Sequence, residues 1–309
     1  MPQPLLFPPP RPSPSAHRLG RKASILIVSL WAFAILSILS MALAGFVFQQ
    51  IKFSNYYIRQ TMSLPMAKAA CLRVFEDRKK DTTPEYDSFK ELTQENTQAL
   101  CDNLSYKYYF SEKKNIDGGE KFIDEGALIN INLVPAEVLK RLPGLDEDLA
   151  KNIIESTRRQ FKRKEEVLLV EGITKDIYNK FKDLITVYGA GKININSASS
   201  EVLSALGLDD EIVNIIMRYR REYEGADGIK ETEDDGAFTS SAGILSDLKK
   251  FYSLSLRQEQ DLLSAMNYLS VTSEYLRLNV IPRVKGKDGI RYSIVIHPRE
   301  NKILSWSEM

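Results

Sequence analysis

The sequence predicts an α+β protein: a long N-terminal helix laid on an antiparallel sheet, with an all-α domain of two similar units inserted between the sheet's strands. Three observations predict it. An uncharged apolar run from Ile25 to Phe48 passes unbroken into a stretch with apolar residues at three and four spacing. The tetrapeptide Ile-Asn-Ile-Asn occurs at 129–132 and again at 193–196, and a Glu-Val-Leu begins five residues after each last Asn. Beyond about residue 268 the apolar period changes from helical spacing to strict alternation.

The N-terminus comes first. "PQPLLFPPPRPSPS" is too rich in proline to pack and reads as a leader without regular structure. The 24 uncharged residues that follow Ser24 span the ~30 Å hydrocarbon layer at ~1.5 Å rise per residue, so residues 25–48 are expected to sit in membrane lipid. A cleaved secretory signal competes with this reading, but the run is too long for such a peptide's apolar region. Arg11, Arg18, Arg21 and Lys22 precede the span, which puts the N-terminus in the cytoplasm and the bulk of the chain across the membrane. These four charges, taken from a net charge of +1, leave the remainder at −3, a poor footing for phosphate binding. "QQIKFSNYYIRQTMSLPMAKAACLRVFE" continues the helix to near Glu76, with a kink expected at Pro65.

The middle of the chain is a duplication. "ININLVPAEVLKRLPGLDEDLAKNII" (129–154) aligns with "ININSASSEVLSALGLDDEIVNII" (193–216), pairing Asn132 with Asn196, Glu137 with Glu201, Leu139 with Leu203 and Ile154 with Ile216, with two residues lost at the turn. Each copy reads as a short strand, a turn held by its Asn, a helix starting near Pro135 or Ser199, a bend, and a second helix. The unit resembles a helix-hairpin-helix. Such modules aim backbone N–H groups at a DNA phosphate. Here the bends carry Asp146, Glu147, Asp148, Asp209, Asp210 and Glu211, which repel one. The basic run "RRQFKRK" (158–164) is followed by Glu165, Glu166 and Glu171 and reads as a solvated face. No nucleic-acid partner is expected.

The copies differ in one place. The offset between them jumps from 62 at Arg159/Arg221 to 77 at Phe161/Phe238, which marks fifteen inserted residues, "EYEGADGIKETEDDG". Asp227, Glu231, Glu233, Asp234 and Asp235 repel one another there unless something neutralises them. Hard oxygen ligands on a glycine-punctuated loop suit calcium, although the spacing is not that of an EF-hand. From composition alone a solvated acidic loop is an equal reading.

The C-terminal segments 268–284, 290–298 and 302–309 alternate and read as an antiparallel meander, with "SYKYYFSE" and "EKFIDEGALININ" as further strands before the repeats. Catalysis is not expected. The two histidines are His17 and His297, and the chain has no nucleophile elbow, P-loop or dinucleotide loop. Cys71 and Cys101 either close a loop of thirty residues or stay free, and buried free thiols are the default.

"RKASILIVSLWAF" carries a specific resemblance to type IV pilins and the pseudopilins of type II secretion: a basic leader, a small residue, then an apolar helix at once. The resemblance implies cutting by prepilin peptidase between Ala23 and Ser24, where most prepilins have Gly in place of Ala23. Most also carry Glu at the fifth mature position, which is Val28 here. The large minor pseudopilins, the K subunits, lack that Glu. The order of anchor, strands, duplicated helical insertion, acidic loop and terminal sheet is similar to K subunits over nearly the whole chain.

What the resemblance implies can be stated by segment. Residues 1–23 are a cytoplasmic prepilin leader and 24–48 the transmembrane part of a pilin helix. Residues 49–124 form the periplasmic helix and first strands. Residues 125–250 are the helical insertion, with repeats near 129–190 and 193–250 and the acidic loop at 223–237, and 251–309 return to the sheet. K subunits bind calcium beside their helical domain, which favours Asp227, Glu231, Glu233, Asp234 and Asp235 as calcium ligands. The implied role is a non-catalytic subunit at the tip of the periplasmic pseudopilus, partnered by the minor pseudopilins I and J, prepilin peptidase and the inner-membrane assembly platform. The alternative is a membrane-anchored helix-hairpin-helix DNA receptor of the competence type.

Overall fold

The computed structural model describes residues 16–93, 96–101, 103–110, 114–116, 119–121, 124–225, 228 and 235–309. The chain divides into two units, Met1–Ile58 and Arg59–Met309.

The first helix, α1 (Ala16–Lys79), crosses that division and continues through Pro65 to end three residues past Glu76. In the first unit its apolar residues from Ile25 to Phe48 are all exposed, and this is the one helix among the described residues long and apolar enough to cross a membrane. A lipid environment supplies the apolar surroundings that the protein does not.

In the second unit the same helix becomes amphipathic. Ser63, Met66, Ala67, Ala70, Cys71, Val74 and Phe75 are buried at alternating spacings of three and one, which places them on a single face. After α1 come α2 (Phe89–Thr93), β1 (Asn96–Cys101), β2 (Leu104–Tyr109), β3 (Lys114–Ile116) and β4 (Gly119–Lys121). The first repeat holds β5 (Ile129–Asn130), α3 (Ala136–Leu139), α4 (Glu147–Ser156), α5 (Lys175–Phe181) and β6 (Ile185–Thr186). The second holds β7 (Ile193–Asn194), α6 (Ser200–Ala205), α7 (Asp210–Glu222), α8 (Ile244–Phe251), α9 (Leu256–Ala265) and β8 (Leu269–Ser270). The chain ends with β9 (Leu276–Val284), β10 (Lys287–Asp288), β11 (Tyr292–His297) and β12 (Lys302–Glu308).

The main sheet runs β1-β2-β9-β11-β12, antiparallel throughout, with β10 folded back on β9. Its inner face and the buried face of α1 share one core that includes Val74, Tyr106, Leu278, Val280, Tyr292 and Ile294. Ser63 links the two: its hydroxyl accepts from the N–H of Ile290 at 3.0 Å, and any side chain at Gly289 would collide with it.

The helical insertion has its own core, built around Ile129, Ile131, Leu139, Ile153, Phe181, Ile193, Ile195, Leu203, Ile216 and Phe238. At ~1.5–3 kcal/mol for each fully buried large aliphatic side chain, a core of this size sustains a fold of its own. Each repeat closes on itself. Ile129 in β5 pairs in parallel with Ile185 in β6, and Ile193 in β7 pairs with Leu269 in β8.

Three sequence expectations are corrected. The second repeat does not stop at 250, because α9 and β8 complete it. The strand read at 120–132 divides into β4, which pairs with β3, and β5, which belongs to the first repeat rather than to the sheet. Strand β1 was missed, since "NTQALC" has no alternation and lies exposed at the sheet edge. The cysteines are both free, Cys71 buried and Cys101 exposed.

Candidate functional site

The Asn pairs of the repeats have a division of labour. Asn130 Oδ1 accepts from the N–H of Asn132 at 3.0 Å, and Asn194 Oδ1 from the N–H of Asn196 at 2.9 Å, so the first Asn of each pair holds the local turn. The second Asn reaches across the repeat instead. Asn132 Oδ1 accepts from Phe161 N at 2.8 Å and its Nδ2 donates to Phe161 O at 3.0 Å, while Asn196 makes the same two bonds to Phe238 at 2.8 and 3.0 Å. Asn132 and Asn196 therefore do not cap their own turns, as the sequence suggested. An amide offers a donor and an acceptor side by side, which matches the backbone N–H and C=O of one residue.

The bends are stabilised by their acids. Asp146 accepts from Leu149 N at 2.8 Å and Asp209 from Ile212 N at 2.8 Å, so each bend carboxylate caps the second helix of its hairpin. These caps correct the alignment: Ile153 and not Ile154 stands opposite Ile216, both fully buried, while Ile154 is half-buried. One residue is lost at the bend and fourteen are inserted later. A carboxylate already occupies the amide groups at the start of α4 and α7 that an anion would use.

Of the acidic-loop residues, Asp227, Glu231, Glu233 and Asp234 lie outside the described residues, and Asp235 is half-buried. The neck of the loop is closed: Gly236 N donates to Tyr223 O at 2.8 Å, and Tyr223 stacks on Tyr219 at 4.7 Å. Gly236 has φ +63° and lies against the carbonyl of Arg220, where a Cβ does not fit. Ala23 and Ser24 fall within α1, whose helix starts eight residues before the expected cut.

Beneath the repeats lies a polar junction that the sequence reading missed. Arg78 Nη1 reaches Asp81 at 3.1 Å, Asp87 at 2.5 Å and Glu91 at 2.8 Å. The oxygens of these three carboxylates lie within 4.8 Å of one another, a spacing that would suit a cation, and the guanidinium is that cation. Burial by itself would lower the Arg78 pKa, but Asp87, Glu91 and Asp81 together raise it. From Asp87 the network continues upward. Its backbone O accepts from Nδ2 of both Asn194 and Asn196, and its carboxylate accepts from Ser273 N.

Asp124, fully buried, accepts from Ser273 Oγ, from Ser197 Oγ at 2.7 Å and from Gly126 N at 3.1 Å. Burial pushes its carboxyl up to about 6 against those three donors. Next to it, Glu125 accepts both Nε and Nη2 of Arg277 and the hydroxyl of Thr186, which ties β9 of the sheet to β6 of the first repeat. No composition signal marks these residues, since they come from five separate stretches of chain.

A membrane-length helix that turns amphipathic against an antiparallel sheet, with a duplicated helical insertion rooted in that sheet, defines a pilin-like scaffold with an inserted helix-hairpin-helix pair. The helix-hairpin-helix motif family matches residues 124–186, from Asp124 to the end of the first repeat. No curated protein sequence matches the chain. Among solved structures it is similar to a chain of "The Crystal Structure of the GspK-GspI-GspJ complex from enterotoxigenic Escherichia coli Type 2 Secretion System", with a TM-score of 0.55 and 14% identity over 84% of this chain and 99% of that one. The chain has a GspK-like fold.

Proposed function

We propose that the chain is a minor pseudopilin of a type II secretion system, a non-catalytic subunit at the tip of a periplasmic pseudopilus that helps to start its assembly and the export of folded proteins. The carrying observation is the coverage: the likeness takes in 99% of the matched chain, insertion and sheet together, and not the helical repeats alone. In this reading α1 anchors the subunit in the inner membrane with its leader in the cytoplasm, and prepilin peptidase removes residues 1–23 on the way to the assembly platform. The insertion stands on the sheet through Arg78, Asp87, Asp124 and Glu125, which gives a bulky domain a fixed attachment. Such a bulk would clash inside a packed filament and is accommodated at an end. Val28 in place of a Glu fits a subunit with no predecessor whose amine needs neutralising in lipid.

The partners named with the matched structure, GspI and GspJ, set the test. Co-expression with the I and J pseudopilins of the same secretion system should yield a ternary complex in detergent. Full-length chain that elutes alone, with I and J bound only to each other, would sink the proposal. A DNA-receptor role is disfavoured by Asp146 and Asp209, which cap the helices that would meet a phosphate. For the acidic loop, calcium held by Asp227, Glu231, Glu233, Asp234 and Asp235 is part of the proposal. The closed neck at Tyr223 and Gly236 supports it, because a tethered loop brings its carboxylates together at a smaller loss of entropy.

A further inference from the structure

The two repeats differ between the hairpin and its clamped Phe. In the second, the neck of the acidic insertion separates the end of α7 from the clamped Phe238, and its Gly225, Gly236 and Ala237 are buried. In the first, the chain passes from α4 to the clamped Phe161 directly, through Gln160 at φ +50°, and a groove of about 600 Å³ is left open. Its rim carries Arg158, Arg159 and Lys162, all exposed and none with an ion-pair partner among the described residues. Glu166, also at the groove, already accepts from the backbone N–H of Lys162 at 3.0 Å, and Glu155 is the other acid present.

Phe161 and Val170 give the groove an apolar lining, and Leu169 stands at its edge 86% exposed. Ile244 takes the buried place of Val167 in the second repeat, so Ser246 stands where Leu169 stands in the first. The second copy thus has a polar residue at the position where the first shows an exposed Leu. Unpaired cations around an exposed aliphatic side chain describe a surface that lacks a complement of acidic and apolar groups.

We propose that the groove at Arg158, Arg159, Lys162 and Leu169 docks an extended acidic segment of a partner protein. The inference rests on the groove alone and stands whether or not the chain joins a pseudopilus. The probe is a fluorescein-labelled peptide of residues 222–236, the chain's own acidic segment, titrated by anisotropy into the full-length protein in detergent with chelator present. Saturable binding is expected that weakens with salt. The double variant Arg158→Glu/Arg159→Glu should weaken it at least ~10-fold, and Leu169→Ser at least ~3-fold with the salt dependence kept.

Melting curves of both variants report folding. If the double variant melts early, Leu169→Ser decides alone. No binding by the parent, unchanged binding by the correctly folded variants, or displacement of the peptide by duplex DNA at lower concentration than by unlabelled peptide would each overturn the proposal.

Discussion

Asn196 grips both the N–H and the C=O of Phe238, 42 residues along the chain, and Asn132 grips Phe161 identically at 29. The difference is the insertion less the residue lost at the bend, so the acidic segment was added without disturbing the clamp. Asn196 is fully buried, and its Nδ2 also donates to Asp87 O at 3.2 Å. Asn196→Ala leaves the buried N–H and C=O of Phe238 short of partners, while Asp87 O keeps its bond from Asn194, and is expected to lower stability by about 2–4 kcal/mol. Asn132→Ala, less enclosed and with Phe161 alone to hold, should lower it by about 1–2 kcal/mol. Thermal melting of both variants checks the order, and equal losses would contradict it.

Asp124 makes stability depend on pH in an unusual direction. Its folded pKa of about 6 lies above the ordinary 3.8, so between those values the folded protein holds more protons than the unfolded one. The contribution of the protonated acid is complete below about pH 4 and is lost as pH rises through 6, a change of about 1–3 kcal/mol. Asp124→Asn keeps the size and cannot ionise. The difference in melting temperature between variant and parent should move in the variant's favour from pH 4.5 to 7.5, roughly across the two pKa values. A difference that stays flat means that Asp124 does not titrate there.

Arg78 stands in for a metal ion among Asp81, Asp87 and Glu91. Arg78→Ala removes the guanidinium that Asp81, Asp87 and Glu91 share and should lower stability by about 3–5 kcal/mol. The same variant is expected to gain stability from millimolar calcium or magnesium, which the three oxygens can then hold. Melting with and without the ions is the measurement, and indifference to them would show that the cluster relaxes apart.

Calcium at the native acidic loop is checked separately. The parent should melt several degrees higher with calcium than with chelator, by mass action on the folded form. Asp234→Asn/Asp235→Asn should shrink that shift. A parent that melts at one temperature in both conditions rules the ion out.

The leader gives a further expectation. Co-expression with prepilin peptidase should shorten the protein by residues 1–23, seen as an intact mass beginning at Ser24. Ala23→Leu should block the cut, since the pattern calls for a small residue there. A mature protein starting elsewhere would move the boundary.

The amino-acid sequence by itself determined the anchor, the duplication and the terminal strands, because each is written in local order. Uncharged length sets the apolar span of α1, period two sets β9 and β11, and a repeated tetrapeptide identifies two copies of one unit. Asp146 and Asp209 were visible at the bends for the same reason, although their capping was not. Tertiary structure alone decided where the copies end and how they are attached. The second repeat closes only when Leu269 pairs with Ile193, across more than seventy residues. Arg78, Asp87, Asp124, Glu125 and Ser273 become one junction only after two cores have formed and brought them together, and their worth to each other lies in burial, which no single stretch of chain encodes.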